Sequence, residues 1–338
     1  MEQKSVLIGM SGGVDSSVAA ALLKEQGYHV IGATMRLWTY SDSCNMKHEG
    51  CCAESAVEDA RRVCDKLGID FYVMNFKDMF KDKVVDYFVD EYIHGRTPNP
   101  CIACNKYLKF DALLKKALAM GIDYVATGHY AKIEKGEDGK YILRASEAVK
   151  KDQSYVLYNF TQEQLAHTLM PLGGYNKDWV RQKAEELGLG VAHKPDSQEI
   201  CFVEDDDYAK FITDYSGYKP KEGDILDVNG NVIGKHRGLI YYTIGQRKGI
   251  GAYGRPMFVM KIDAENNTIT LGEKGMEFSN ELTAYDVNFV SGEFPKENML
   301  ITAKVRYQAP PAAAMLCPQK DGTVKLMFPE PQRAVTPG

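Results

Sequence analysis

The chain has 338 residues, 44% of them hydrophobic and 26% charged, the balance of a globular protein with room for two or three domains. No run of about eighteen apolar residues occurs, which excludes a membrane-spanning helix. The start, Met1-Glu2-Gln3-Lys4, leads straight into SVLIGM without the apolar stretch and cleavage site of a signal peptide, so a cytoplasmic protein is expected.

Residues 1–204 alternate short apolar runs with helical periods, the trace of a Rossmann-like α/β layer whose parallel sheet is covered by helices. Ser5–Met10 reads as a strand, followed by a tight loop and a helix from Ser16 to Gln26, with Gly27 suited to a left-handed C-cap. A strand over His29–Met35, a helix over Ala53–Leu67 ended by Gly68, and a strand over Asp70–Phe76 follow. Then come a long amphipathic helix, Lys77–His94, with Gly95 behind it, the loop RTPNP, a helix across Asp111–Met120, and a buried strand at Tyr124–Gly128. After Asp205 the helical periods stop and an all-β half is expected: a small connecting domain over 205–277 and a C-terminal β-barrel over 278–338. Asp224–Gly234 carries an Asn-Gly pair between apolar runs, a strong hairpin cue. Phe258–Gly272 reads as a second hairpin, and Leu300–Arg306, Thr323–Phe328 and Gln332–Val335 as further strands.

The net charge of −5 argues against a nucleic-acid binder until the distribution is read, because local field decides. From Val228 to Ile262 there is no Asp or Glu, while Lys235, Arg237, Arg247, Lys248, Arg255 and Lys261 form a basic stretch. The eight cysteines are Cys44, Cys51, Cys52, Cys64, Cys101, Cys104, Cys201 and Cys317. In a chain of this size without an export signal, reduced thiols are the default. Cys64 and Cys317 read as core fillers, and Cys44, Cys51 and Cys52 are unexplained.

The most specific feature is MSGGVDSSV, Met10–Val18, directly after the first strand and opening the first helix. Gly12 and Gly13 let the backbone approach an oxyanion, and the amides at the helix start, with the hydroxyls of Ser11, Ser16 and Ser17, suit a phosphate at the positive end of the helix dipole. A Walker-type GxxxxGK[ST] is absent from the sequence. SGGxDS at this junction resembles the pyrophosphate loop of the PP-loop ATP pyrophosphatases, which implies cleavage of ATP between its first and second phosphates and transfer of AMP to the substrate. Asp15 is then a candidate catalytic residue, holding Mg²⁺ against phosphate oxygens.

In RTPNPCIACNKYLKF (Arg96–Phe110), Cys104 is expected near a helix N-terminus with Lys106 and Lys109 close by, a setting that lowers a thiol pKa. DSQEICFV (Asp196–Val203) places Cys201 at the end of the same half. With these, ATGHYA (Ala126–Ala131), KDQSYVL (Lys151–Leu157), TIGQRKG (Thr243–Gly249) and VRY (Val305–Tyr307) complete a motif order that resembles the bacterial and mitochondrial tRNA-specific 2-thiouridylases along essentially the whole chain.

That resemblance implies ATP-dependent 2-thiolation of the wobble uridine, in the anticodon loop of tRNA, with Cys104 as nucleophile and Cys201 as persulfide carrier. Uridine O2 is adenylated, the persulfide attacks the activated carbon, and Cys104 attacks the bridging sulfur, leaving thiouridine and a Cys104–Cys201 disulfide as AMP departs. It further implies nucleotide contacts from Gly9, Met10, Ser11, Gly12, Gly13, Val14, Asp15, Ser16, Ser17, Met35 and Gly128. Asn99, Pro100 and Cys101 would cup the flipped target base; His129, Lys151, Asp152, Gln153, Arg306 and Tyr307 would contact tRNA. Taken singly, a histidine such as His129 is more often a satisfied core residue than a ligand contact. A cysteine desulfurase or sulfur-relay protein is the expected donor.

Two departures from the family pattern stand out. Many relatives carry aspartate where this chain has Cys101. Cys101, Cys104 and Cys201 therefore leave open an iron–sulfur cluster as in related PP-loop thiolases, a zinc site, or a redox partner for Cys104. The relatives also continue past Thr336–Gly338 with a tRNA-contacting glutamine and two more strands, so a shortened final barrel is expected. The rivals from other classes are a small-molecule ligase sharing the loop, a sulfur or cluster carrier that does not touch RNA, and a plain dithiol oxidoreductase.

Overall fold

A computed structural model describes residues 3–38, 54–196, 200–203 and 206–338. Cys44, Cys51, Cys52, Ala53 and the Ser197–Glu199 part of the ICF motif lie outside the described residues. The chain divides into two compact units. The first is Met1–Val84, Pro100–Val203 and Asn288–Glu293; the second is Val85–Asn99, Glu204–Val287 and Phe294–Gly338.

In the first unit, β1 (Ser5–Gly9) leads through the glycine-serine loop into α1 (Val14–Glu25). β2 (His29–Arg36), α2 (Glu54–Leu67) and β3 (Asp70–Asn75) follow. Val6, Leu7 and Ile8 are fully buried, as expected for a parallel strand covered on both faces. Gly27, in the left-handed region at φ +88°, stops α1 where the sequence predicts.

The predicted helix over 77–94 is present but changes pitch. α3 (Lys77–Phe80) passes through a π-helical stretch, Lys81–Asp86, into α4 (Tyr87–Ile93). The next helix begins earlier than the sequence suggests. α5 (Pro100–Ala103) opens it, a second π-helical stretch covers Cys104–Ala112, and α6 (Leu113–Ala119) closes it. Pro100 suits the first helical position, where its missing N–H is not needed.

β4 (Tyr124–Ala126) is followed by a hairpin that the periodicity does not reveal, β5 (Ala131–Lys135) with β6 (Tyr141–Ala145). α7 (Gln162–Ala166), β7 (Thr168–Leu169) and α8 (Lys177–Glu186) complete the unit. The parallel sheet runs β3-β2-β1-β4-β7, so strand order reverses between β1 and β4. In open α/β sheets ligands bind at that switch point, beyond the carboxyl ends of the strands.

The second unit corrects the all-β expectation at its start: α9 (Tyr208–Ser216) is a helix, capped by Asp207, whose carboxylate accepts from the Lys210 amide, and by left-handed Gly217. β8 (Gly223–Leu226) and β9 (Val232–His236) form the expected Asn-Gly hairpin, and β10 (Met257–Asp263) with β11 (Thr268–Glu273) the other. They share one sheet, β10-β11-β8-β9, packed on a core of Ile225, Leu239, Val259, Ile269 and Leu271. β12 (Phe278–Ala284), β13 (Met299–Ala303), β14 (Ala312–Pro318) and β15 (Val324–Arg333) make an antiparallel sheet in the order β12-β15-β14-β13. The two strands predicted around 323–335 are the single strand β15. Pro329 and Pro331 lie beyond its pairing with β14 and next to a bulge in its pairing with β12, where a missing N–H does least harm.

Candidate active site

The loop after β1 is built for close approach. Gly12 sits at φ +70°, and a Cβ there would meet the Ala56 carbonyl oxygen at 2.3 Å. A Cβ on Gly128, just after β4, would meet the Ser16 amide nitrogen at 2.7 Å. Only glycine lets these two backbones converge at the switch point. Gly13 caps α1 without a side-chain hydrogen bond, so the first amides of the helix, which have no partner within it, face outward toward any anion.

The serines brace the loop. Ser16 Oγ contacts the Ser11 amide and hydroxyl at 3.2 Å, and the fully buried Ser17 donates to the Gly13 carbonyl at 2.8 Å. The loop is tied to β2 by the Met10 amide, which donates to the Ala33 carbonyl at 2.8 Å, and by the Thr34 hydroxyl, which donates to the Met10 carbonyl at 2.8 Å. Met35 lies half-buried near the carboxyl end of β2.

Asp15 stands in a charged network that sequence reading does not reveal. Its carboxylate accepts from Tyr130 Oη at 2.7 Å and from Lys177 Nζ at 2.7 and 2.8 Å. Lys177 also pairs with Asp196 at 2.7 Å, and Asp196 takes Lys151 at 2.8 Å and Arg181 at 3.3 Å. Burial pushes the Asp196 carboxyl up, but Lys151 and Lys177 outweigh it and hold it below the usual carboxylate range. Burial first, and the Asp15 charge second, push the Tyr130 phenol far up, so Tyr130 is a donor. Lys194 reaches the loop from another side, donating to the Gly12 carbonyl at 3.1 Å while pairing with Asp59 at 2.9 Å. Asp15, half-exposed, fits Mg²⁺, which needs few carboxylates when phosphates supply the other oxygens.

Cys104 is buried, Cys101 exposed and Cys201 exposed. The helix starts at Pro100, so Cys101 occupies its first turn and Cys104 lies a turn further in, where the dipole effect has faded. Cys104 opens the π-helical stretch instead, a distortion common at functional sites. Its neighbour Asn105, 3% exposed, donates to the Val156 carbonyl at 3.0 Å, while its own Oδ1 is buried with no partner. Cys201 is carried by an anchored turn, since Phe202 is buried against Phe80 at 5.6 Å between ring centroids. Among the described residues no group of three Cys, His, Asp or Glu side chains is placed to hold a metal ion. Cys64, a core residue as expected, has its thiol pushed to about 12 by burial.

The residues expected to contact tRNA divide into two sorts. Gln153 exchanges hydrogen bonds with Tyr130: its Oε1 accepts from the Tyr130 amide at 3.0 Å and its backbone amide donates to the Tyr130 carbonyl at 2.9 Å. Asp152 accepts from the Ser146 amide and the Ser154 hydroxyl. Arg306 donates to the carbonyls of Ala334 and Ile244, both at 2.7 Å, and to the Thr336 hydroxyl. These three brace loops. His129 bonds to the Thr127 hydroxyl at 2.7 Å and packs on Phe110; burial first, then Lys109, push its pKa well below 6.5. Lys151 keeps 40% of its side chain exposed beside Asp196. Tyr307 is exposed in the second unit, with the Lys304 ammonium 5.8 Å from its ring centroid. Asn99 is half-buried and Pro100 buried.

The matches to known proteins cover the chain end to end. Residues 4–205 match the tRNA methyl transferase HUP domain, 209–273 the tRNA methyl transferase PRC-barrel domain and 279–338 the aminomethyltransferase beta-barrel domain. The tRNA-specific 2-thiouridylase MnmA of Acetivibrio thermocellus is 58% identical over 100% of this chain and 95% of its own length. The same-named protein of Clostridioides difficile strain 630 is 58% identical over 99% and 93%, and that of Clostridium botulinum strain Alaska E43 56% identical over 100% and 94%. The chain belongs to the tRNA-specific 2-thiouridylase family. Its α/β layer, small β domain and final antiparallel sheet are those of the family's three matched domains. The methyltransferase wording of two domain descriptions finds no echo in these relatives, each named a thiouridylase.

Proposed function

We propose that this thiouridylase-family protein converts the wobble uridine of tRNA to 2-thiouridine by adenylating O2 and delivering sulfur from a persulfide on Cys201. In coarser terms, the enzyme is a tRNA sulfurtransferase that uses ATP. The observation that carries the reading is the start of α1 at the sheet's switch point, capped by Gly13 without a side-chain hydrogen bond and with Gly12 and Gly128 at its sides. It suits a leaving pyrophosphate in a chain whose whole length matches thiouridylases.

In the first step uridine O2 attacks the α-phosphorus. The bond from phosphorus to the β-phosphate oxygen breaks with its electron pair on pyrophosphate, and N3 gives its proton to solvent. Asp15 would hold Mg²⁺, which would supply neutralisation of phosphate charge. In the second step the terminal persulfide sulfur attacks C2 and AMP leaves. The Cys104 thiolate then attacks Sγ of Cys201, so the C2–sulfur bond stays with thiouridine and a Cys104–Cys201 disulfide forms. A thiol reductant resets the pair, and a cysteine desulfurase or sulfur-relay protein reloads Cys201. Asn99, Pro100 and Cys101 receive the base. Lys151, His129 and Tyr307 face tRNA, and Asp152, Gln153 and Arg306 shape the loops that do so.

Mass spectrometry of tRNA nucleosides after reaction with ATP and a sulfur donor tests the reading, with 2-thiouridine and AMP expected in equal amounts. Cys201→Ser is expected to take up no persulfide sulfur, and Cys104→Ser to load sulfur yet release little thiouridine. Normal turnover of Cys104→Ser without added reductant would overturn the two-cysteine route.

A further inference from the structure

A phosphate loop without a lysine must draw its positive charge from elsewhere, and two distant lysines arrive at this one. Lys177 is the more telling. It is the first residue of α8, where the helix dipole disfavours a cation. Its side chain is only 12% exposed, and its ammonium lies 2.7 Å from Asp15 in the loop and 2.7 Å from Asp196. Burying a cation at the positive end of a helix is unfavourable unless something anionic meets it. The two carboxylates do so here, but they are shared with Lys151, Arg181 and the Tyr130 hydroxyl. Three cations divide two carboxylates, so the cluster joined to the start of α1 through Asp15 carries an excess of positive charge.

We infer that Lys177 is a catalytic residue of the adenylation step, the cation that binds the leaving pyrophosphate, and that Asp196 is its positioning residue. The inference rests on the proposed ATP-dependent reading of this loop. In the structure Lys177 neutralises Asp15. With the triphosphate present, Asp196 keeps hold of the ammonium while its other N–H groups turn to phosphate oxygens. As the α–β bond breaks, the electron pair moves onto pyrophosphate beside a charge already in place, which needs no reorganisation at that moment. Asp196 stands five residues before Cys201, so the residue that aims the phosphate cation also begins the segment that carries the sulfur.

The test uses the full chain and two readouts: AMP formation with tRNA and ATP, and binding of inorganic pyrophosphate with Mg²⁺ to the protein alone, by calorimetry. Lys177→Met is expected to lower AMP formation by about 100-fold or more, the scale for losing one preorganised charge contact, and to weaken pyrophosphate binding at least about tenfold, while tRNA binding stays. Lys177→Arg should recover part of both. Asp196→Asn should raise the KM for ATP and lower kcat less than Lys177→Met does, and the double variant should be no worse than Lys177→Met alone, as for residues acting as one unit. If Lys177→Met does not fold, Lys177→Gln, which keeps two N–H donors for the carboxylates, is expected to show the same loss of pyrophosphate affinity. Wild-type pyrophosphate binding in either neutral variant would overturn the inference and leave Lys177 a brace between α8 and the loop. Wild-type protein that binds pyrophosphate through Lys177 but makes no AMP with tRNA would instead sink the tRNA reading and leave this one standing.

Discussion

Charge is handled in opposite ways in the two units. In the α/β unit, residues far apart in sequence, Asp15, Lys151, Lys177, Arg181 and Asp196, converge on one partly buried network. In the β-rich unit the basic stretch from Val228 to Ile262 is contiguous in sequence, yet half of its cations are paired. Lys235 pairs with Asp224, Arg255 with Glu273 and Lys261 with Asp263, and the three acids sit just outside the acid-free window. Arg237 stacks on Tyr241 at 4.0 Å. Arg247 and Lys248 remain exposed without an ion pair among the described residues, and Arg247 lines an open cleft of about 360 Å³ with Tyr253 and Arg255. A run of like charge in a sequence measures local field poorly, because strand pairing brings in partners from its flanks.

The comparison breaks hardest at the loop. Asp15→Ala and Ser16→Ala are each expected to cut AMP formation by about 100-fold or more, with tRNA binding intact by filter retention; undiminished AMP in both would remove the loop from the chemistry. A smaller effect separates the cations of the β-rich unit. Neutralising Arg247 and Lys248 together should lower the slope of log affinity against log salt by roughly 1.5–2, whereas neutralising the paired Lys235 and Lys261 should change it far less. Equal changes would mean that the ion pairs open on RNA binding.

The smallest effect concerns His129. Its folded pKa is depressed by burial, so below about 6.5 the unfolded chain takes up a proton that the folded one does not, and stability falls as pH falls. Above that value the imidazole is neutral in both states and the effect vanishes. The gap between urea midpoints at pH 7.5 and 5.5 should therefore be smaller for His129→Phe than for wild type; an unchanged gap in the variant would place the proton elsewhere.

The sheet of the α/β unit is legible in the sequence because its strands are continuous apolar runs and its helices end on glycines such as Gly27 and Gly68, both left-handed. The β5–β6 hairpin is hidden there because AKIEK and YILRA mix charges with apolar residues on both faces. β15 reads as two strands because prolines ordinarily end one. At the site, the loop and the cysteines are legible from local motifs. Lys177 and Lys194 are not, since nothing near them in sequence marks them; the nearest signal is a lysine directly after Asn176, the side chain that caps α8. The thiol setting of Cys104 differs from expectation for one reason, the early start of its helix at Pro100.

That helix also acts as a phase setter. A π-helical stretch holds an extra residue relative to α-helix, and each residue of α-helix turns the chain by about 100°. The stretch over Cys104–Ala112 therefore fixes the azimuth of Cys101 and Cys104 against α6, much as a shim sets a gear. Deleting one residue within it would let the helix relax to ordinary pitch with the core contacts of Leu113 and Ala117 intact, yet would swing both sulfurs around the axis. The aim of the thiols is thus encoded in a count of residues, separately from their identity.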